Sequence, residues 1–243
     1  MGQKLNKDKD FTLFKELDEI KNRYERRKSI EEDSLYHPLS PYAFMTIQEL
    51  NKALLRWVHT CGIIPVSEKK VLEIGCGNGI NLLRLIGMGF DPEKMVANEL
   101  DQGRAKSARG RLPEAVSVVP GDALALDVPD NSFDIVMQST VFTSILDAKF
   151  QEALADKMWR MVAPGGGVLW YDFKYNNPKN NDVKGVSVKR IRHLFPEAKI
   201  KTWPITLAPP IGRRVVGKFI FPYHLLNVFP FLRTHILAWI QKV

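Results

Sequence analysis

Glu73 stands two residues ahead of a turn carrying Gly75, Gly77 and Gly79, within the stretch VLEIGCGNGINLL from Val71 to Leu83. Glycines at such spacing let a backbone approach a ligand where any Cβ would intrude. A glycine turn alone is compatible with NAD, FAD or a nucleotide. Here Ile80 occupies the third-glycine position of G-x-G-x-x-G, and the Lys-Ser/Thr ending of a P-loop is missing. The acid narrows the choice further. A carboxylate beside the turn would repel a bound pyrophosphate and would suit a cationic ligand bearing an amino group.

Three further stretches carry chemistry in the same order along the chain. Glu99 closes MVANEL, and a carboxylate can accept hydrogen bonds from two adjacent hydroxyls. Gly121-Asp122-Ala123 follows another apolar run, pairing an acid with a small residue. SFDIVMQST, containing Gln138, precedes MVAPGGGVLW. Together with LEIGCGNG, these stretches resemble the class I S-adenosylmethionine-dependent methyltransferases over about Lys70 to Phe173. The resemblance implies S-adenosyl-L-methionine as cofactor, whose sulfonium and amino groups fit the charge expected beside Glu73. It assigns Glu73, Gly75, Cys76, Gly77, Gly79, Glu99, Leu100, Asp122, Ala123 and Gln138 to the cofactor. Within that set Glu99 would meet the ribose hydroxyls, Asp122 the exocyclic amine of adenine, and Ala123 the ring.

Methyl transfer from a sulfonium is an in-line displacement, so alignment and desolvation carry much of the catalysis. A hydroxyl acceptor also calls for a base within reach of its proton. Asp172, in WYDFKYNNPKNNDVKG (Trp170 to Gly185), is the first candidate for that base or for orienting the acceptor; otherwise it ties down the following loop. His193 is a second candidate base, and His235 and His37 are further ones. Tyr175 and Asn176 are candidate acceptor contacts. Asn176-Asn177-Pro178 lacks the second proline and the aromatic of the signature found in methyltransferases of planar amines, and is discounted. The chain also looks like a bacterial group of small-molecule methyltransferases, which implies an oxygen acceptor on a sugar or natural product.

These residues need an α/β scaffold to bring them together. The texture predicts strands at KVLEIG, MVANEL, AVSVVPGD, FDIVMQS and VLWYDF, separated by helices at INLLRLIGMG, DQGRAKSARGRL and Lys149 to Val162, the last ended by Ala163-Pro164-Gly165-Gly166-Gly167. Continuous apolar strands alternating with helices give a parallel sheet covered on both faces. The fold expected is α/β and Rossmann-like: a mostly parallel seven-stranded sheet with N-terminal helices and an apolar insertion before the last strand. Ligands of such sheets bind at the carboxyl ends of the strands. Residues 1–65 read as a helical lid, with helices near Phe11 to Lys28 and Tyr42 to Thr60, and residues 66–243 as the cofactor-binding domain. Val186 to Phe195 fits a helix and Lys199 to Leu207 a strand. THILAWIQKV fits either a strand or a short helix.

Composition bounds the partners. Two cysteines give neither a disulfide framework nor a metal-binding spacing, so no metal and a cytoplasmic setting are expected. No apolar run is long enough to span a membrane. The net charge of +8 admits nucleic acid, an anionic membrane surface or an anionic substrate. RNA is not favoured, because the basic segments YERRKS and RAKSARGR do not interleave aromatics with cations. The segment Pro209 to Leu232 is apolar, aromatic and proline-punctuated, with Arg213, Arg214, Lys218 and Arg233 in or beside it. It reads as core packing, a pocket lid, a membrane contact or an oligomer interface. The partner expected is a small-molecule or glycan-linked acceptor, methylated at a hydroxyl oxygen. An RNA methyltransferase and a non-catalytic cofactor-binding scaffold are the alternatives.

Overall fold

The computed structural model describes residues 15–26, 37, 39–177, 180–216 and 221–243. Phe11, Phe14, Lys28, Pro38, Pro178 and Lys218 lie outside the described residues. Seven strands form one sheet: β1 (Val71–Ile74), β2 (Met95–Glu99), β3 (Ser117–Pro120), β4 (Phe133–Ser139), β5 (Val162–Phe173), β6 (Lys199–Leu207) and β7 (Arg233–Gln241). Their order is β3-β2-β1-β4-β5-β7-β6, and β7 runs antiparallel to both of its neighbours while the other pairings are parallel. The terminal run is therefore a strand, and it is buried from Ile236 to Ile240 by pairing on both sides.

The fifth strand starts earlier than its sequence suggests. The glycine triplet reads as a helix-ending loop, yet residues 162–167 already belong to β5. Pairing shifts from Phe133↔Val162 to Ile135↔Gly167, so β5 bulges against β4. Side chains have no room there. A Cβ at Gly166 would lie 2.5 Å from the Asp134 carbonyl oxygen, and one at Gly167 2.7 Å from that of Ile240. Glycine at these positions permits the close approach of three backbones.

Alternation sends the strands' side chains to two cores. On one face Leu72, Ile74, Val136, Trp170 and Ile236 pack against α5 (Ala148–Met161) and α6 (Val188–Leu194). The helix spanning 15–26, α1, joins this face through Ile20. On the other, Val71, Ala97, Met137, Leu169 and Trp239 pack against α2 (Pro41–Thr60), α3 (Ile80–Ile86) and α4 (Gln102–Arg111). α2 buries Leu50, Leu54, Trp57 and Val58 there. Asp101 and Asp147 cap α4 and α5 by accepting from the amides of Arg104 and Phe150, satisfying donors that a helix start leaves orphaned. Within the N-terminal extension the two helices thus differ: α2 is packed into the sheet's core, whereas α1 crosses the strand ends.

Between β6 and β7 the apolar insertion folds as α7 (Pro209–Val215), α8 (Phe221–Asn227) and a short 3₁₀ turn at Pro230–Leu232. A third core of Tyr42, Met45, Leu207 and Tyr223 holds it against α2. Contact is close: a Cβ at Gly212 would collide with the Tyr42 ring. The Glu49 carboxylate of α2 accepts from the Thr206 amide (2.8 Å) and from the Asn227 side chain, joining helix, strand and insertion.

Candidate functional site

Register brings the site residues to one edge of the sheet. Ile74 lies beside Asn98 of β2 and Gln138 of β4, and Glu99 beside Pro120 of β3. The residues that follow, Gly75, Leu100, Gly121-Asp122 and Ser139, therefore leave the sheet at the same carboxyl edge, next to the point where strand order reverses. A small cleft, open to solvent, lies there. Gly75, Glu99, Leu100, Asp122 and Ala123 all line it, with Leu17, Ile20 and Tyr24 of α1 on the far wall.

Glu99 is the organiser of this edge. It is buried, and its two carboxylate oxygens accept from the amides of Gly77 (2.7 Å) and Asp101 (3.0 Å). Each oxygen keeps a lone pair for a further donor, as a pair of ribose hydroxyls would require. Asp122 accepts from the Leu124 amide at 2.9 Å and starts a one-turn helix over Ala123 to Ala125. Gly75, Gly77 and Gly79 all have positive φ. At Gly75 (φ +66°) a Cβ would lie 2.5 Å from Val141 Cγ2, so only glycine lets the turn and the segment after β4 close around the cleft. This cradle and the acid on β2 fit the adenosine and methionine portions of S-adenosyl-L-methionine.

Glu73 departs from its expected place. It lies on the opposite face of β1 from Ile74, and its carboxylate does not line the cleft. It is fully buried beneath α3, where Oε1 accepts from Asn81 Nδ2 (2.8 Å) and Asn81 in turn accepts from Arg84 (2.7 Å). Oε2 has no hydrogen-bond partner among the described residues. Burial pushes this carboxyl up to about 8; Asn81 and the Arg84 charge oppose the rise. A carboxyl that keeps its proton in the fold but loses it in the unfolded chain stabilises the fold most at acid pH. Its contribution is lost as pH rises toward about 8. Glu73→Gln, which copies the neutral acid, is expected to flatten the decline of melting temperature above about pH 5 and to raise it by several degrees at pH 8. Thermal denaturation across that range checks it; a slope equal to the parent's would show that Glu73 is ionised in the fold.

Other expected cofactor residues also lie outside this cleft's lining. Cys76 packs its side chain into the core shared with α2, and burial pushes its thiol up to about 12. Gly77 leaves room for Arg104, whose Nη2 would be 2.8 Å from a Cβ there. Gly79 caps α3 and admits Leu112 at similar range. Gln138 turns its Oε1 to the Val141 amide (3.0 Å) and shapes the chain after β4.

None of the four candidate bases is among the residues lining either cleft. Asp172 is 1% exposed, with Oδ2 accepting from the Thr143 amide (3.2 Å) and Oδ1 from the Phe173 amide (3.1 Å). Burial pushes its carboxyl up to about 7 against those bonds. Its contacts are those of an anchor that ties the turn after β4 to β5. His193 is solvent-facing on α6, 3.6 Å from Glu152. His235 stacks on Tyr171 (centroids 5.3 Å apart), and burial pushes its imidazole down to about 4. His37 and Tyr175 are exposed, and Asn176 accepts from the Gly185 amide (3.0 Å).

A second, more polar cleft adjoins the first at Gly75. Tyr24, Arg104, Ser139, Thr140, Thr143, Ser144, Phe173 and Val183 line it. Sequence patterns do not single out most of these, because hydroxyl side chains after a strand are common in any loop. Thr140 has φ +57°, unusual for a β-branched residue, and its hydroxyl donates to the Ser139 carbonyl (2.8 Å). Thr143 and Ser144 donate theirs to the Thr140 carbonyl, both at 3.3 Å. Arg104 sits over the Tyr24 ring, 5.0 Å from its centroid, and joins α4 to α1 across the cleft. α1 is also held by Glu16, which accepts from the Leu146 amide (3.0 Å) and pairs with Arg23, and by Arg26, which pairs with Asp182 (2.6 Å). Among the described residues no cluster suits a metal ion, and no helix is long and apolar enough to cross a membrane.

Known proteins resemble parts of this sequence and share its fold. A family model described as a methyltransferase domain matches residues 71–166. A ubiquinone biosynthesis O-methyltransferase of Thiobacillus denitrificans is 29% identical over 63% of this chain and 64% of its own. A demethylmenaquinone methyltransferase of Renibacterium salmoninarum is 32% identical over 49% of this chain and 48% of its own, and a sterol 24-C-methyltransferase of Yarrowia lipolytica 28% identical over 47% and 32%. The chain thus spans less than two thirds of each of these relatives. A methyltransferase structure from Archaeoglobus fulgidus, described as S-adenosylmethionine-dependent, superimposes with a TM-score of 0.56 at 16% identity, covering 79% of this chain and 94% of the other. One from Mesorhizobium loti does so with a TM-score of 0.56 at 15% identity, over 79% and 100%. Residues 71–166 thus match a methyltransferase domain, set in a seven-stranded sheet with the fold of S-adenosylmethionine-dependent methyltransferase structures.

Proposed function

We propose that the protein transfers the methyl group of S-adenosyl-L-methionine to a hydroxyl oxygen of a small-molecule or glycan-linked acceptor. The observation that carries this reading is the cleft at the ends of β1, β2 and β3, where Gly75, Glu99 and Asp122 converge. When bound, the cofactor supplies an electrophilic methyl group on a positively charged sulfur. Glu99 holds the ribose through its free lone pairs, Asp122 and Ala123 hold the adenine, and α1 closes over the bound molecule as a lid and excludes water.

The acceptor enters through the cleft of Ser139, Thr140, Thr143 and Ser144. Thr140 commits its hydroxyl proton to the Ser139 carbonyl, so its oxygen orients an acceptor by accepting from the acceptor's donors. Among the described residues lining that second cleft, none carries a carboxylate or an imidazole. Catalysis without a base at the acceptor favours a hydroxyl that is acidic enough to lose its proton to water, a phenol or an enol rather than an alcohol. The ubiquinone biosynthesis O-methyltransferase among the relatives is named for transfer to oxygen, which supports an oxygen acceptor here.

Isothermal calorimetry with S-adenosylmethionine and with NAD tests the cofactor assignment. Binding of the first alone is expected; binding of NAD alone would overturn it. A methyl-transfer screen with labelled cofactor against phenols, alcohols and glycans then tests the acceptor. Turnover rising with pH through the ionisation of a phenol is expected, and turnover of alcohols alone would refute the acidic acceptor.

A further inference from the structure

The insertion between β6 and β7 presents an apolar surface whose chemistry identifies what covers it. α8 buries Tyr223 against Tyr42 and Leu207, and Leu226 packs beside them. Phe221 and Leu225, one turn apart on α8, and Val228 just past its end are turned to solvent, with 72%, 53% and 66% of their surface exposed. Phe229 and Phe231 extend the patch, their rings 5.6 Å apart and Phe231 70% exposed. A surface helix ordinarily turns polar residues to water, and a helix apolar on both sides belongs inside something. Scattered apolar residues need no explanation, but five within eleven consecutive residues do.

Charge tells the partner's nature. From Ala198 to the last residue, Val243, the sequence contains no Asp or Glu, and Arg213, Arg214, Lys218 and Arg233 lie in or beside the insertion. Arg214 and His224 are exposed. Arg233 spends its guanidinium on the carbonyls of Asn227 and Pro204. A second copy docked through the same patch would bring these cations against their own images, because a two-fold interface pairs a surface with itself. An anionic lipid surface satisfies both features at once. Aromatic and aliphatic side chains enter the boundary between headgroups and acyl chains, and cations meet lipid phosphates. The geometry points to α8 and the turn that follows as a site docking the protein peripherally on an anionic membrane.

This goes beyond the methyl-transfer reading and is tested without it. Purified protein is incubated with vesicles of phosphatidylcholine alone and of phosphatidylcholine mixed with phosphatidylglycerol, at low and high salt, and the bound fraction is read by flotation. Binding to the mixed vesicles that weakens with salt is expected, with little on the neutral ones. The double variant Phe221→Ser, Phe231→Ser should lose at least tenfold in vesicle affinity, while its circular dichroism and melting temperature match the parent's because neither side chain is buried. Arg214→Glu, which reverses one charge, should lose more than the roughly fivefold expected for removing a single cation. Calorimetry with S-adenosylmethionine on the same variants is expected to be unchanged, which separates a failed docking site from a failed cofactor assignment. No binding to the mixed vesicles, or equal binding by the double variant, would overturn the proposal. So would a concentration-dependent dimer that the double variant abolishes, since that assigns the patch to a second copy.

Discussion

Glu99→Ala is expected to lower the affinity for S-adenosylmethionine at least a hundredfold. The substitution removes the acceptor of two main-chain amides, Gly77 and Asp101, as well as the one proposed for the ribose. Leaving a buried donor unsatisfied costs about 1–3 kcal/mol, and hydrogen bonds to a charged group are about 1.5–3 kcal/mol each. The two amides belong to the glycine turn and to the cap of α4, so both walls of the cleft lose their common anchor. Glu99→Gln retains one acceptor oxygen and is expected to fall between the parent and the alanine variant. Calorimetry on both variants measures this directly, with circular dichroism to show that each is folded. An alanine variant that binds as tightly as the parent would remove Glu99 from the site.

Trp170→Ala is expected to destabilise the fold by about 3–5 kcal/mol, the usual cost of deleting a large aromatic from a packed core. Trp170 is fully buried on β5, with Phe142 stacked obliquely at 4.3 Å and Phe195 edge-on at 6.3 Å. Phe142 belongs to the turn after β4 that supplies Val141 to the first cleft and Thr140, Thr143 and Ser144 to the second. The cavity left behind should therefore loosen the site as well as the core. Urea denaturation is expected to show a lower midpoint with an unchanged slope, and cofactor affinity should fall even where the variant is folded. Trp170→Phe, which keeps most of the contact area, should recover much of both losses. Equal stability of the alanine variant and the parent would show that the core closes around the deletion.

Much of the candidate site's composition was legible before the fold, for a definite reason. Glycines at 75, 77 and 79, the acid at 99 and the Asp122-Ala123 pair sit where strands end, and strand ends are marked locally by apolar runs giving way to turn residues. Lys199 to Leu207 is a strand with the limits its sequence suggests, because β-branched and aromatic residues end there at Ala208-Pro209-Pro210. The start of β5 was not legible. Pro164 and three glycines signal a break in any local reading, and only the nearness of Asp134 and Ile240 makes them a strand.

Glu73 and Asp172 mark where local reading of chemistry ends. Each is an acid at or near a strand's carboxyl end, the position at which a functional carboxylate is expected. Strands alternate, however, and one residue of register decides whether a side chain meets the cleft or the core. Glu73 points to α3 while Ile74 meets the cleft; Asp172 holds Thr143 while Phe173 lines the second cleft. Conversely, Tyr24 and Arg104 are eighty residues apart and become neighbours only when α1 crosses the strand ends.

By itself, the sequence determined the kind of sheet, the order of its elements and the residue types available at its ligand-binding edge, because each of these follows from periodicity and turn chemistry over a few residues. The tertiary structure alone decided which carboxylates face the cleft and which face protein, and that α1 shares the cleft while α2 belongs to the core. It also decided that the apolar face of α8 is left toward solvent. Those outcomes depend on which way a strand's alternation falls and on which distant surfaces meet, and neither is encoded within a single turn or run.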